Sequence, residues 1–159
     1  MIEIRRTESV GELMRWRQEV IENVFGITPD AALIDENRKY YESHVPEGSH
    51  VAFVASADGV DCGCGAVCFY SELPSPDNPG GLCAYLMNIY VRSSFRKMGV
   101  AHRIVGRLIE EARKSGCGKI YLETTPEGRP VYESIGFLDM PDMMKYDNRH
   151  NLMNEGSGA

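Results

Sequence analysis

Residues 86–112, LMNIYVRSSFRKMGVAHRIVGRLIEEA, join an apolar run to a short basic loop and then to an amphipathic segment. From Val100 the apolar residues Ala101, Ile104, Val105, Leu108, Ile109 and Ala112 follow at helical spacing, which predicts a helix with one buried face starting at or just before Val100. Ahead of it, Arg96, Lys97, Met98 and Gly99 supply two cations and a residue that can turn tightly and approach a ligand closely. The first turn of a helix has unpaired N–H groups and a partial positive charge, so it can hold an anion without side chains. No Ser, Thr, Asp or Asn stands beside Gly99 to cap that turn. A bound phosphate would do so, or else Gly99 only makes a turn and the cations are solvated.

The run is neither a P-loop, which needs Lys-Ser or Lys-Thr after its second glycine, nor the glycine pattern of a dinucleotide fold. Arg-Lys-Met-Gly-Val-Ala (96–101) resembles the Arg/Gln-x-x-Gly-x-Gly/Ala signature of the GNAT acetyltransferase superfamily. Asn-Ile-Tyr-Val (88–91) is similar to the end of that family's fourth strand, and Val-Tyr-Glu-Ser-Ile-Gly-Phe (131–137) to its closing signature. The resemblance is firm over residues 82–140. It implies a mixed α/β fold, a twisted sheet of six to seven strands flanked by about four helices. It also implies acetyl-CoA as co-substrate and no metal, with the cofactor held by residues 96–101 and by the backbone of Ile89, Tyr90 and Val91.

The formal charge of −6 and pI near 5.2 argue against nucleic acid or an anionic membrane as a general partner. An acidic protein with one basic loop suits an anionic cofactor and a neutral or cationic acceptor. No apolar run approaches the roughly 20 residues needed to span a bilayer, and the N-terminus lacks a signal-peptide core, so a cytoplasmic protein is expected. The five cysteines form no disulfide frame, which fits a reducing compartment. Cys62, Cys64, Ala66 and Cys68 are expected on one strand face. The histidines have no metal-ligand spacing, and His102 and Trp16 read as a surface and a packing residue.

One domain over residues 1–147 is expected, with a frayed tail at 148–159. Ile2 and Ile4 mark a first strand to about Arg6, and Ser9 with Glu12 a capping box. Val10, Leu13, Met14, Val20, Ile21 and Val24 then outline a helix stopped by Gly26 and Pro29. A second helix is expected from Ala31 to His44, ending before Pro46. In families of this shape, by analogy, the first two helices border the acceptor pocket. A hairpin follows over His50–Ala57 and Asp61–Tyr70, turning at Ala57-Asp58-Gly59. Residues 71–81 read as a loop between strands. A fourth strand is expected at 82–91, a fifth at 119–124, a short helix at 128–134 and a last strand at Met143–Asp147.

Acyl transfer from a thioester to an amine asks for a base, a donor to the carbonyl oxygen and a proton for the departing thiolate. By resemblance Tyr132 is that proton donor, and the backbone around Ile89–Val91 supplies the hydrogen bonds. Glu123 stands where ribosomal-protein acetyltransferases of the superfamily carry a glutamate, so it is a candidate base. Tyr85 and a chain of waters are the alternatives. The family's Asn-x-x-Ala ahead of the closing helix is absent; Thr124–Pro130 stands there instead. The expected acceptor is an amine of a small molecule or peptide. A CoA-binding sensor or interaction module without turnover is the second reading, and homodimerisation is left open.

Overall fold

A computed structural model describes residues 1–149. In chain order the elements are β1 (Ile2–Thr7), α1 (Val10–Val20), α2 (Ala31–Glu47), β2 (His50–Ala57), β3 (Val60–Ser71), β4 (Leu82–Val91), α3 (Val100–Lys114), β5 (Lys119–Leu122) and α4 (Arg129–Ile135). The five strands form one sheet in the order β1-β2-β3-β4-β5. Neighbours are antiparallel except β4 and β5, which are parallel because α3 carries the chain back between them.

Alternation along the strands divides the core between the two faces. Phe53, Val67, Ala84 and Leu86 on one face meet Val100, Ile104, Val105, Leu108 and Ala112 of α3. On the other, Leu13, Tyr41 and Val45 cover Ala52 and Ala66, while Trp16 and Val20 cover Val54, Cys64 and Tyr90. Each large side chain so buried stabilises the fold by about 1.5–3 kcal/mol. Gly65 permits the close approach of α3: a Cβ there would fall 2.5 Å from Ile104 Cγ2. Trp16 is packed, edge-on to Tyr90 at 6.5 Å, as the sequence suggests.

Local signals account for most boundaries. Asp30 caps α2, its Oδ1 accepting from Leu33 N–H at 2.8 Å. Asp58 and Gly59 both have positive φ, as a tight hairpin turn requires. Ser9 Oγ accepts from Glu12 N–H at 3.2 Å, but the box is only half formed, because Glu12 is drawn instead to Arg5 and the Thr7 hydroxyl.

Several expectations are corrected. The sheet has five strands among the described residues, not six to seven. Residues 143–147 are not a strand: they join no ladder among the described residues, and Met144 is 98% exposed. Beyond Leu122, β5 does not continue to Thr124, since β4 no longer pairs with it. α2 runs through Pro46 to Glu47, the proline falling in the last turn where its missing N–H forfeits a single bond, and Gly48 closes the helix at φ 82°. α1 stops at Val20 and a π-helical turn, Ile21–Phe25, follows. Cys62 does not share a face with Cys64: a bulge opposite Ala55/Ser56 turns it into the α3 core. Of the tail expected at 148–159, residues 150–159 lie outside the described residues.

Candidate active site

β4 and β5 pair from Cys83/Lys119 to Leu86/Leu122 and then part, leaving the last five residues of β4 without a strand partner on that side among the described residues. The separation begins next to a bulge. Ala66 faces Met87 and Cys64 faces Tyr90, so Asn88 and Ile89 occupy the space of one residue, and Asn88 takes φ +56°. Asparagine tolerates this left-handed conformation better than most side chains. Its carbonyl oxygen accepts from the Cys64 thiol at 3.4 Å, and its Oδ1 accepts from Arg17 Nη1 at 2.8 Å. Arg17 Nε donates to Asn37 Oδ1 at 3.1 Å, so one guanidinium ties α1, α2 and the bulge together.

Past β4, residues 96–101 form the turn that the sequence indicates. α3 begins at Val100 with Gly99 at its N-cap in the left-handed region (φ 84°), and no side chain caps it. A Cβ on Gly99 would meet nothing within 4 Å, so the space in front of the helix is open. Lys97 is also left-handed, at φ 64°. Lys97, Met98 and Gly99 are exposed, Ala101 is half-buried and Val100 is buried. Arg96, although exposed, is tethered, its Nε donating to the Val91 carbonyl at 3.0 Å. An uncapped helix start facing open space and the unpaired edge at Ile89–Val91 fit a phosphate joined to an extended chain that can pair with a strand.

Tyr132 lies on α4 with its ring half-buried against the α3-side core, edge-on to Phe137 at 5.9 Å. Burial raises its phenol above the ordinary value, and among the described residues its hydroxyl has no hydrogen-bond partner. It is therefore protonated and free to donate.

Tyr85 and Tyr121 are register partners of β4 and β5, with ring centroids 4.9 Å apart on the face opposite α3. The Tyr121 hydroxyl also contacts that of Tyr70. Burial first, and then the adjacent Glu123 carboxylate, pushes the Tyr85 phenol up to about 12. Glu123 itself is exposed, immediately beyond the end of β5. It also lines, with Tyr132, a cleft of about 630 Å³ that runs between β5, α4 and residues 137–143. Glu123 thus shares one cleft with Tyr132 and neighbours Tyr85 on the other face of the sheet, while no residue of 87–91 or 96–101 lines that cleft. His102 is exposed, and no cluster able to hold a metal occurs among the described residues.

Sequence reasoning missed Arg17. Nothing in the α1 pattern separates it from Arg15, and its contact with Asn88 spans 71 residues. The positive φ of Asn88 carries a weak signal, since Asn is enriched there, but a strand interior is not where it would be sought.

A split parallel strand pair with an uncapped, glycine-led helix between its members defines the class. The model of the Acetyltransferase (GNAT) family matches residues 12–137, and the chain belongs to that family. A probable glucosamine 6-phosphate N-acetyltransferase 2 of Oryza sativa subsp. japonica is 37% identical over 60 residues, 38% of this chain and 36% of that protein. N-alpha-acetyltransferase 30 of Saccharomyces cerevisiae is 28% identical over 123 residues, 74% of this chain and 64% of that one. The chain thus spans from about a third to under two thirds of the length of these curated relatives. Among solved structures, a predicted acetyltransferase with acetyl-CoA from Clostridium acetobutylicum superimposes with a TM-score of 0.83 at 25% identity, covering 92% of this chain and 96% of that one.

Proposed function

We propose that this chain is an N-acetyltransferase that moves an acetyl group from acetyl-CoA to an amine of a small molecule or peptide by direct attack, with both substrates bound together. The observation that carries the reading is the parting of β4 and β5 after Leu86/Leu122, followed on the β4 side by the uncapped start of α3. In this reading residues 96–101 hold the pyrophosphate, and the open edge of Ile89, Tyr90 and Val91 pairs with pantetheine and donates to the thioester oxygen. The amine nitrogen bonds to the carbonyl carbon, the C–S bond breaks, and its electron pair leaves on sulfur. Tyr132 protonates that sulfur.

Glu123 takes the amine's proton, directly or through water. Tyr85 is disfavoured as the base because its phenol, pushed up to about 12, stays protonated at neutral pH. It serves better as a hydrogen-bonding neighbour that fixes the carboxylate. We place the functional domain at residues 1–147. A reducing, cytoplasmic setting suits its five free thiols, and catalysis as described asks nothing of a second copy.

The test is free-thiol release from acetyl-CoA with a panel of polyamines, amino acids, aminoglycosides and peptide N-termini. Acceleration by at least one amine supports the enzyme. Tight CoA binding with no acceleration by any class would instead favour the non-catalytic CoA-binding module.

A further inference from the structure

α1 and α2 border a second, half-open cavity of about 220 Å³, at whose rim Arg15 and Arg38 are exposed. Met14, Ile21 and Ile34 supply apolar lining, and Arg15, Arg17 and Arg38 bring three cations to it with no acidic residue among the lining side chains. In a chain of net charge −6 this is a local reversal of sign. Of the neighbouring carboxylates, Glu12 is engaged with Arg5 and Thr7, and Asp35 and Glu36 with Lys39, while Glu22 borders the cavity, accepting from the lining Gln18. Arg15 and Arg38 form no salt bridge among the described residues, although Arg15 lies near enough to Glu12 to help lower its pKa. Arg17 lines the same cavity and reaches the β4 bulge through Asn88.

We infer that this cavity receives an anionic group, a phosphate or a carboxylate, of the amine acceptor, so that the acceptor is an anionic amine rather than a neutral or cationic one. The inference rests on the acetyltransferase reading of the β4–β5 fork. A concave site lined by one sign of charge concentrates ligands of the other sign, and guanidinium groups match the geometry of both anions. The volume is below the roughly 300–1,000 Å³ of a site that encloses a whole drug-sized ligand. It therefore houses the charged end of the acceptor, and the amine extends past Arg17 toward Asn88. This revises the expectation, drawn from net charge alone, of a neutral or cationic acceptor.

Matched pairs test it: glucosamine 6-phosphate against glucosamine for phosphate, and 4-aminobutyrate against butylamine for carboxylate. Thiol release should show a KM at least tenfold lower for the anionic member of one pair, and which pair responds identifies the anion. The Arg15→Ala/Arg38→Ala double variant should raise that KM at least tenfold while acetyl-CoA affinity, measured by calorimetry, stays within twofold. Equal KM values within both pairs, or a KM untouched by the double variant, overturn the proposal. If no amine accelerates thiol release, calorimetric titration of the CoA-loaded protein with the two anionic amines decides. Millimolar or tighter binding lost in the double variant keeps the anion site while the transferase reading fails, and absence of binding by both overturns the anion site.

Discussion

Leu86 and Leu122 are the last register partners of β4 and β5, and within two residues of them the β4 backbone turns left-handed at Asn88. Pairing stops and the bulge begins at nearly the same level. The unpaired β4 edge and the start of α3 are thereby placed within one stretch of 15 residues, 86–100.

Asn88 separates two contributions to that bulge. Asn88→Gly removes the Arg17 bond but accepts the positive φ, whereas Asn88→Ala removes the bond and adds left-handed strain of about 1–2 kcal/mol. Chemical denaturation should therefore find the alanine variant less stable than the glycine variant by about 1 kcal/mol. Equal stabilities would mean that the backbone relaxes out of the bulge.

At Gly99 the requirement is conformational before it is steric, because φ is 84° and a Cβ meets nothing. Gly99→Val should distort the turn before α3 and weaken CoA binding at least tenfold, about 1.4 kcal/mol by calorimetry. Unchanged affinity would remove the turn from the phosphate site.

Tyr132→Phe keeps the ring against Phe137 and deletes only a hydroxyl that has no hydrogen-bond partner among the described residues. Loss of a general acid should lower kcat by roughly 10²–10⁴ with CoA affinity and Tm nearly unchanged. A rate within tenfold of the parent would leave Tyr132 as a packing residue.

Gly65→Ala would thrust a methyl into Ile104 and Leu108, at 2.5 and 3.2 Å. Overpacking of this kind costs about 1–3 kcal/mol, which for a domain of this size lowers Tm by several degrees. A melting curve superimposable on the parent's would show that α3 can shift freely away from the sheet.

His50 is buried between Tyr40 and Tyr41, its Nδ1 hydrogen-bonded to the Tyr40 hydroxyl at 2.9 Å and its Nε2 without a partner. Burial, with smaller contributions from His44 and Arg17, lowers its pKa to about 4 from the ordinary 6.5. The unfolded chain therefore binds this proton first as pH falls. Stability is full above about pH 6.5 and declines toward pH 4, by up to about 3 kcal/mol. Denaturation midpoints measured from pH 7 to 4 should fall, and His50→Gln should flatten that slope; a slope identical in the variant would assign it to other groups.

Much of the α3 region was legible because its signals are local. The apolar spacing from Val100, the uncapped Gly99 and the closing Tyr132 segment are determined by residues within a turn or two of each other, and the helix begins where that pattern places it. The turn at Asp58-Gly59 was equally readable, since φ preference is a property of the residue. By contrast, the half-formed capping box at Ser9, the turning of Cys62 into the α3 core and the end of β5 at Leu122 depend on competing partners brought by the fold. Residues 143–147 have a strand-like pattern, yet pairing needs a neighbour that sequence cannot supply. Arg17 belongs to the same class: one arginine among several on α1 acquires its place only when α2 and the β4 bulge bring Asn37 and Asn88 to its guanidinium. The sequence by itself determined most of the elements and the glycine-led start of α3, through backbone preference and periodicity. Which side chains meet at the fork was decided by the tertiary structure, because those contacts join residues far apart in the chain.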